Sequence, residues 1–359
     1  MKITIILLIL MIMSVSCIED ENAMNNSGWE KEWEGGGLDA LALSADNTLF
    51  VGGGVPVKDA FYTLNAFNLN GEQKFEKFGE SNGGRIFSLI TDSDGNLYAG
   101  GVGNSQALLI KFSANGDIIW TNYLNEKESN SGTYALALDK DNNIYAADNS
   151  ESSGIKGNIT KFSPDGKELW HHNISTEDAE GVINALAVDS EGNVYAGGST
   201  WGSLFGENAG ETDAFLVKIA PDKTHVWEKQ WGGSGDDRVY SLAVDKMNNI
   251  YVAGGTNGTN EILLKYSFDG KRLWGNEGTV VNYKALALDN ENNLYVGIGY
   301  KKNLIEKYTS DGEKIWDTND EGKWEWGVEG IALDSNGNLY VCGGSNENHL
   351  MKISASEME

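Results

Sequence analysis

The sequence predicts an all-β chain, a seven-bladed β-propeller of four-stranded antiparallel blades. Three observations predict it. One phrase recurs seven times along the chain, a second phrase ending in an aromatic follows most of its copies, and the last copy stops one strand short while a matching strand stands near the N-terminus. Self-similarity at this period is the mark of a repeat architecture rather than of several ordinary domains.

The first phrase is clearest as LITDSDGNLYAGG (89–101). It returns from residues 136, 186, 242, 286 and 331, and in a decayed form from 41. Its aromatic falls at Phe50, Tyr98, Tyr145, Tyr195, Tyr251, Tyr295 and Tyr340. Six copies place an aspartate six residues earlier (Asp92, Asp139, Asp189, Asp245, Asp289, Asp334), and the first has Ser44. Alternation and β-branched or aromatic enrichment on both sides of a D-G or N-N turn read as two paired strands. In the first of these strands large residues (Leu136, Leu138) alternate with small ones (Ala135, Ala137). One face is therefore bulky and the other slight, which suits an innermost strand whose large face packs on its neighbour's small one.

The second phrase, as in KFSPDGKELW (161–170), supplies a third strand, a tight turn and an outer strand around Trp120, Trp170, Trp227, Trp274 or Trp316, with Phe75 in the first copy. The seventh copy ends after its third strand, HLMKIS (349–354). Residues 29–36, WEKEWEGG, nearly match 227–233, WEKQWGG, an outer strand elsewhere. The N-terminal strand is thus expected to complete the last blade, close the ring and remove an exposed sheet edge.

Residues 1–16 read as a signal peptide: Lys2, then an apolar run from Ile3 to Met13, too short to span a bilayer as a helix. Ser14-Val15-Ser16-Cys17 resembles a lipobox, with Ser14 where Leu is usual. It implies lipidation of Cys17, a polar tether over 17–28, and a mature propeller over 29–359 held in the cell envelope, periplasmic or surface-exposed. Lipidation would use one of the two cysteines, leaving Cys342 without a disulfide partner. The chain carries 53 acidic against 27 basic residues, a net charge of −26. Nucleic acid is excluded as a partner, because phosphate binding needs clustered Lys and Arg.

The unit resembles the bacterial SBBP-type β-propeller repeat, with kinship to NHL and PQQ-like repeats, over residues 29 to about 354. The resemblance implies a fold and little about function. Quinone-using relatives rely on a vicinal cysteine pair and calcium ligands, and the cysteine pair is missing here. The D-S-D-G-N turn at 92–96 looks like the front of an EF-hand loop, but it lacks the downstream ligands. A turn-capping role explains its first aspartate. His171 and His172 are neighbours on a strand and point to opposite faces, so they cannot share a metal. No catalytic residue, cofactor or metal site is assigned.

Two sets of residues are candidate binding groups. Five residues before the repeat aspartate, at the expected channel mouth, stand Asp39, Phe87, Tyr134, Asn184, Tyr240, Lys284 and Glu329, a varied position between uniform ones. They suit a small polar ligand or a peptide. The variable loops add Trp201 and Phe205 in the insertion 199–213, and Trp324 and Trp326 in 317–328. Acidic loop residues Glu126, Glu128, Glu177, Asp178, Asp236 and Asp237 would favour a basic partner. The reading that follows is a monomeric, membrane-tethered, non-catalytic binding or scaffold lipoprotein that takes a protein or glycan on one face. An outer-membrane assembly factor resembling PQQ-like assembly lipoproteins is one alternative, and a propeller-type lyase or glycosidase is another.

Overall fold

The computed structural model describes residues 28–54, 60–80, 84–124, 131–150, 156–176, 179–256, 262–276, 282–299, 304–318, 327–344 and 347–358. The signal segment, Cys17, residues 18–27 of the tether, Trp324 and Trp326 lie outside them, as do Glu126, Glu128, Glu177 and Asp178.

Strand β1 is Trp29–Glu34. The first copy then runs β2 (Leu38–Leu43), β3 (Thr48–Gly53), β4 (Ala60–Asn68) and β5 (Gln73–Glu80), and the second β6 (Gly84–Thr91), β7 (Leu97–Gly103), β8 (Gln106–Phe112) and β9 (Ile118–Leu124). The third holds β10 (Gly132–Leu138), β11 (Ile144–Ser150), β12 (Lys156–Phe162) and β13 (Glu168–Asn173). The fourth holds β14 (Gly181–Val188), β15 (Val194–Thr200), β16 (Asp213–Ile219) and β17 (His225–Trp231). Next come β18 (Asp237–Val244), β19 (Ile250–Thr256), β20 (Ile262–Tyr266) and β21 (Arg272–Asn276), then β22 (Tyr283–Leu288), β23 (Leu294–Ile298), β24 (Ile305–Tyr308) and β25 (Lys314–Asp317). The last copy is β26 (Val328–Leu333), β27 (Leu339–Gly343) and β28 (Glu347–Ile353), with a 3-10 turn at Ala355–Glu357.

The expected set of seven separate four-stranded blades is corrected. Among the described residues five sheets are four-stranded blades, and the strands of the third and fourth copies form one eight-stranded sheet. The join is a parallel pairing of Lys156 on β12 with Gly181 on β14. Gly157 also lies there, and a Cβ on it would meet the Gly181 carbonyl at 2.8 Å. Two glycines let the backbones meet, a lateral contact that strand periodicity does not encode. At the termini, β1 pairs antiparallel with β28, from Trp29 opposite Lys352 to Glu34 opposite Glu347, in a sheet ordered β1-β28-β27-β26.

The cores lie between copies. Ala40 and Ala42 of β2 pack with Ile86 and Leu89 of β6 in one buried cluster, large against small. Strand-two glycines make the room: Gly52 sits against Ile86, and Gly197 against Val239 and Leu242. Dense interdigitation of this kind is what holds neighbouring sheets together.

In the second, fourth and fifth copies the repeated Trp and Lys clamp one copy to the next. The Trp120 and Lys111 side chains both donate to the Pro164 carbonyl in the following turn, Trp227 and Lys218 to that of Phe268, and Trp274 and Lys265 to that of Ser310. Gly166, at φ 86°, lies under the Trp120 ring, so its positive φ and missing Cβ are both used. At the ends of the chain the same device is rebuilt: Trp316 donates to the Glu357 carbonyl in the terminal 3-10 turn, and Trp29 to that of Leu69.

Candidate functional site: the axial mouth

The innermost strand of every copy carries a β-bulge. Register slips between Leu38 and Ala40, Ile86 and Ser88, Thr133 and Ala135, Ile183 and Ala185, Val239 and Ser241, Tyr283 and Ala285, and Val328 and Gly330. The residue left over is Asp39, Phe87, Tyr134, Asn184, Tyr240, Lys284 or Glu329, the varied position read from the sequence. A bulged residue has no ladder partner, so its side chain is freed from the pleat and can be re-aimed. All seven line one cavity of about 210 Å³ on the axis.

The sequence carried a signal for the bulge that the strand reading passed over. Opposite it on the second strand stands Gly53, Gly101, Gly198 or Gly254. A Cβ there would lie 1.8–2.1 Å from the carbonyl of Gly37, Arg85, Val182 or Arg238. In these four copies the Gly makes room for the carbonyl that the bulge brings against the neighbouring strand, whereas the third and sixth copies place Asp148 and Ile298 at the slot.

The mouth has an aromatic arc and a charged arc. Phe87 and Tyr134 stack with centroids 4.7 Å apart and planes 12° from parallel. Asn184 donates through Nδ2 to the Val239 carbonyl at 3.0 Å. Lys284 Nζ lies 4.2 Å from the centre of the Tyr240 ring, a cation–π contact. On the other arc Arg85 grips Asp39 with two donors, Nε to Oδ2 and Nη2 to Oδ1 at 2.6 Å. Arg85 is a site residue that the sequence reading missed; it stands two residues before a bulge, in the copy after the one whose carboxylate it meets. Burial pushes the Asp39 carboxyl above its ordinary range, against the pull of Arg85 and Lys284. Burial does the same to Glu329, and the Asp39 charge adds to it. Two carboxylates and two cations thus share one desolvated rim.

Cys342 is fully buried near this rim, its thiol pushed up by burial and by Glu329 and Asp39. It fills a small slot beside Gly330.

The loop aromatics part company. Trp201 is 44 % exposed. Phe205 packs edge-on against Phe215 and against the His225 ring, so it is held in the fold rather than offered. Of the acidic loop residues, Asp237 is buried and accepts from the Gly233 amide, and Asp236 meets Arg238 at 3.7 Å. The surface role expected of Asp237 is therefore corrected.

The repeat aspartates are turn caps. Asp92 Oδ1 accepts from the amides of Asp94 and Asn96, and Oδ2 from Asn96 Nδ2 and the Tyr98 hydroxyl. Lys111 approaches the same Oδ2 at 3.8 Å and lies over the Tyr98 ring. The EF-hand-like residues are thus committed to a structural network.

A family model, the SBBP β-propeller repeat, matches residues 170–206, 226–260 and 328–350. No curated protein matches the chain. Among solved structures the chain is similar to the WD40 β-propeller domain of Doa1, at 12% identity over 93% of this chain and 98% of that one, TM-score 0.61. It is similar to the Neurospora crassa Pan2 WD40 domain, at 12% identity, 92% and 97% coverage and TM-score 0.60. It also resembles the extracellular domain assigned to a hybrid two-component system of B. thetaiotaomicron, at 16% identity and TM-score 0.59. That match covers 90% of this chain but 39% of that one. At these identities the likeness concerns the fold alone. Among the described residues no helix is long and apolar enough to cross a membrane.

Proposed function

We propose that this chain, an SBBP-type β-propeller, is a non-catalytic recognition module of the cell envelope, tethered through Cys17, whose axial mouth holds one polar unit of a glycan. The observation that carries the reading is the sevenfold bulge. One backbone device delivers seven side chains of six residue types to one cavity, and a device repeated for packing alone would carry one residue type throughout. A cavity of about 210 Å³ is small beside the usual range for ligand pockets, roughly 300–1,000 Å³. It suits a single ring at the end of a larger partner. Tyr134, 39 % exposed, offers an aromatic face to the apolar side of a sugar. Asn184, Glu329 and the Asp39–Arg85 pair supply donors and acceptors for hydroxyls.

The test is calorimetric titration of neutral oligosaccharides, with basic peptides alongside, against the wild type and a Phe87→Ala/Tyr134→Ala variant. Saturable sugar binding that weakens at least tenfold in a folded variant supports the reading. Binding of peptides alone would transfer the mouth to a protein partner, and no binding of either kind would overturn it. Loss of membrane fractionation in Cys17→Ser tests the tether.

One observation favours a second reading, glycoside or lyase chemistry: Glu329 and Asp39 share the mouth, and both are pushed up. Asp39 is held by two donors of Arg85, which ties it down as a nucleophile or base. Turnover of chromogenic glycosides that vanishes in Glu329→Gln would restore the enzyme reading.

A further inference from the structure

His172 and His225 come from the outer strands of the third and fourth copies, β13 and β17, and their Nε2 atoms lie 3.0 Å apart. The ring centroids are 5.3 Å apart and the planes 74° from parallel. The neighbouring His171 is turned away, with Nδ1 3.0 Å from the Thr160 hydroxyl, as alternation along a strand requires. Behind the His225 ring, Glu228 Oε2 lies 3.7 Å from Nδ1. A carboxylate in that place favours the proton on Nδ1 and leaves the Nε2 lone pair bare. Phe205 meets the His225 ring edge-on, with centroids 5.9 Å apart, and limits where it can swing. His225 is exposed and His172 half-buried, so the pair is open to solutes.

We propose that His172 and His225 form a binding site for a divalent late-transition cation, of the copper, nickel and zinc group, bridging the two copies. Metal–imidazole bonds of about 2.0–2.1 Å place two ligand nitrogens about 2.9 Å apart at a right angle and about 3.3 Å apart in a tetrahedron. The observed 3.0 Å falls between these values. A small pivot of the rings replaces the shared proton with the metal, and water fills the remaining positions. Soft–borderline cations are the ones that imidazole selects. The site lies at the boundary where, among the described residues, two copies fuse into an eight-stranded sheet. A bound cation would tie the outer strands β13 and β17 there, as the Lys156–Gly181 pairing ties β12 to β14.

The test is titration of the full chain with Cu²⁺, read by electron paramagnetic resonance, and with Zn²⁺, read by melting temperature. The wild type, His172→Ala, His225→Ala, His171→Ala and His349→Ala are compared. His349 belongs to a separate donor group with Glu32 and Glu347, so its variant separates the two places a metal could sit. One Cu²⁺ equivalent with coupling to two imidazole nitrogens is expected. It should weaken at least tenfold in His172→Ala and in His225→Ala, and persist in His171→Ala and His349→Ala. Added Zn²⁺ should raise the melting temperature of the wild type but of neither site variant. Retention of the two-imidazole signal in either His172→Ala or His225→Ala, or its equal loss in His171→Ala, would overturn the proposal. Circular dichroism of each variant without metal confirms that the fold is intact.

Discussion

The two ends of each innermost strand obey opposite rules. At one end the aspartate closes the same network in copy after copy. The Tyr hydroxyl donates to its Oδ2 in five of them, at 3.1–3.5 Å. At the other end a bulge of constant geometry carries six residue types in seven copies, only tyrosine recurring. The first copy explains the constancy of the aspartate end. Where Ser44 replaces the aspartate, Phe50 replaces the tyrosine and Ala66 the lysine, so carboxylate, hydroxyl and ammonium are lost together. A buried carboxylate without its cation, or a cation without its carboxylate, is costly. The three change as a unit because no one of them can be kept alone. The bulge residues face a cavity and solvent, and their couplings run between neighbouring copies, Arg85 to Asp39 and Lys284 to Tyr240, rather than repeating within each copy.

The largest effect should come from opening the ring on which both ends depend. Deleting residues 29–36 removes β1 and exposes the edge of β28, and should abolish cooperative unfolding, whereas deleting 18–28 should leave the melting temperature unchanged. Comparable melts would break the closure.

Within the closed ring, Asp189→Ala leaves Lys218, only 1 % exposed, without its carboxylate at 3.6 Å. Urea unfolding should show a loss of about 3–5 kcal/mol, the usual cost of breaking a buried pair. Next in size, Ser44→Asp restores the repeat residue to the first copy alone. With Ala66 in the lysine's place and Asp46 beside it, the new carboxylate should cost about 1–3 kcal/mol. Adding Phe50→Tyr and Ala66→Lys should recover part of this loss. If Ser44→Asp stabilises by itself, the coupling argument fails.

At the mouth the effects on stability shrink. Phe87→Ala loses a half-buried ring and its stack on Tyr134, about 1 kcal/mol, and its weight should fall on binding. A loss as large as that of Asp189→Ala would make the mouth a packing layer.

The smallest effect depends on pH. The Glu329 carboxyl is raised in the fold, so its native ionised form is disfavoured. The native state holds its proton longer than the unfolded chain does, and stability falls as pH rises from the ordinary glutamate range through the folded value. Glu329→Gln should therefore be the more stable protein at neutral pH, with the advantage fading as pH falls through that window. Urea titrations across the range would show it, and an advantage constant with pH would mean that the residue's charge is irrelevant.

How much was legible follows from which interactions are local. Strand positions, the D-G and N-N turns, the clamp tryptophans and the seven varied residues are written in periods of two and in a repeat near fifty residues, each set by the pleat of one strand or the φ of one turn. The N-terminal strand as partner of β28 was also legible, because residues 29–36 copy an outer strand. The sheet count was not. Whether β12 and β14 touch depends on how closely two glycines let strands of separate copies approach, and no period records that. Nor was the grip of Arg85 on Asp39, or the meeting of His172 with His225, since each joins residues far apart in the chain across neighbouring copies. The sequence by itself determined the unit, because a strand's faces and a turn's dihedrals are decided within a few residues. The tertiary structure alone decided which units fuse and which side chains converge, because those distances are set by the stacking of whole sheets.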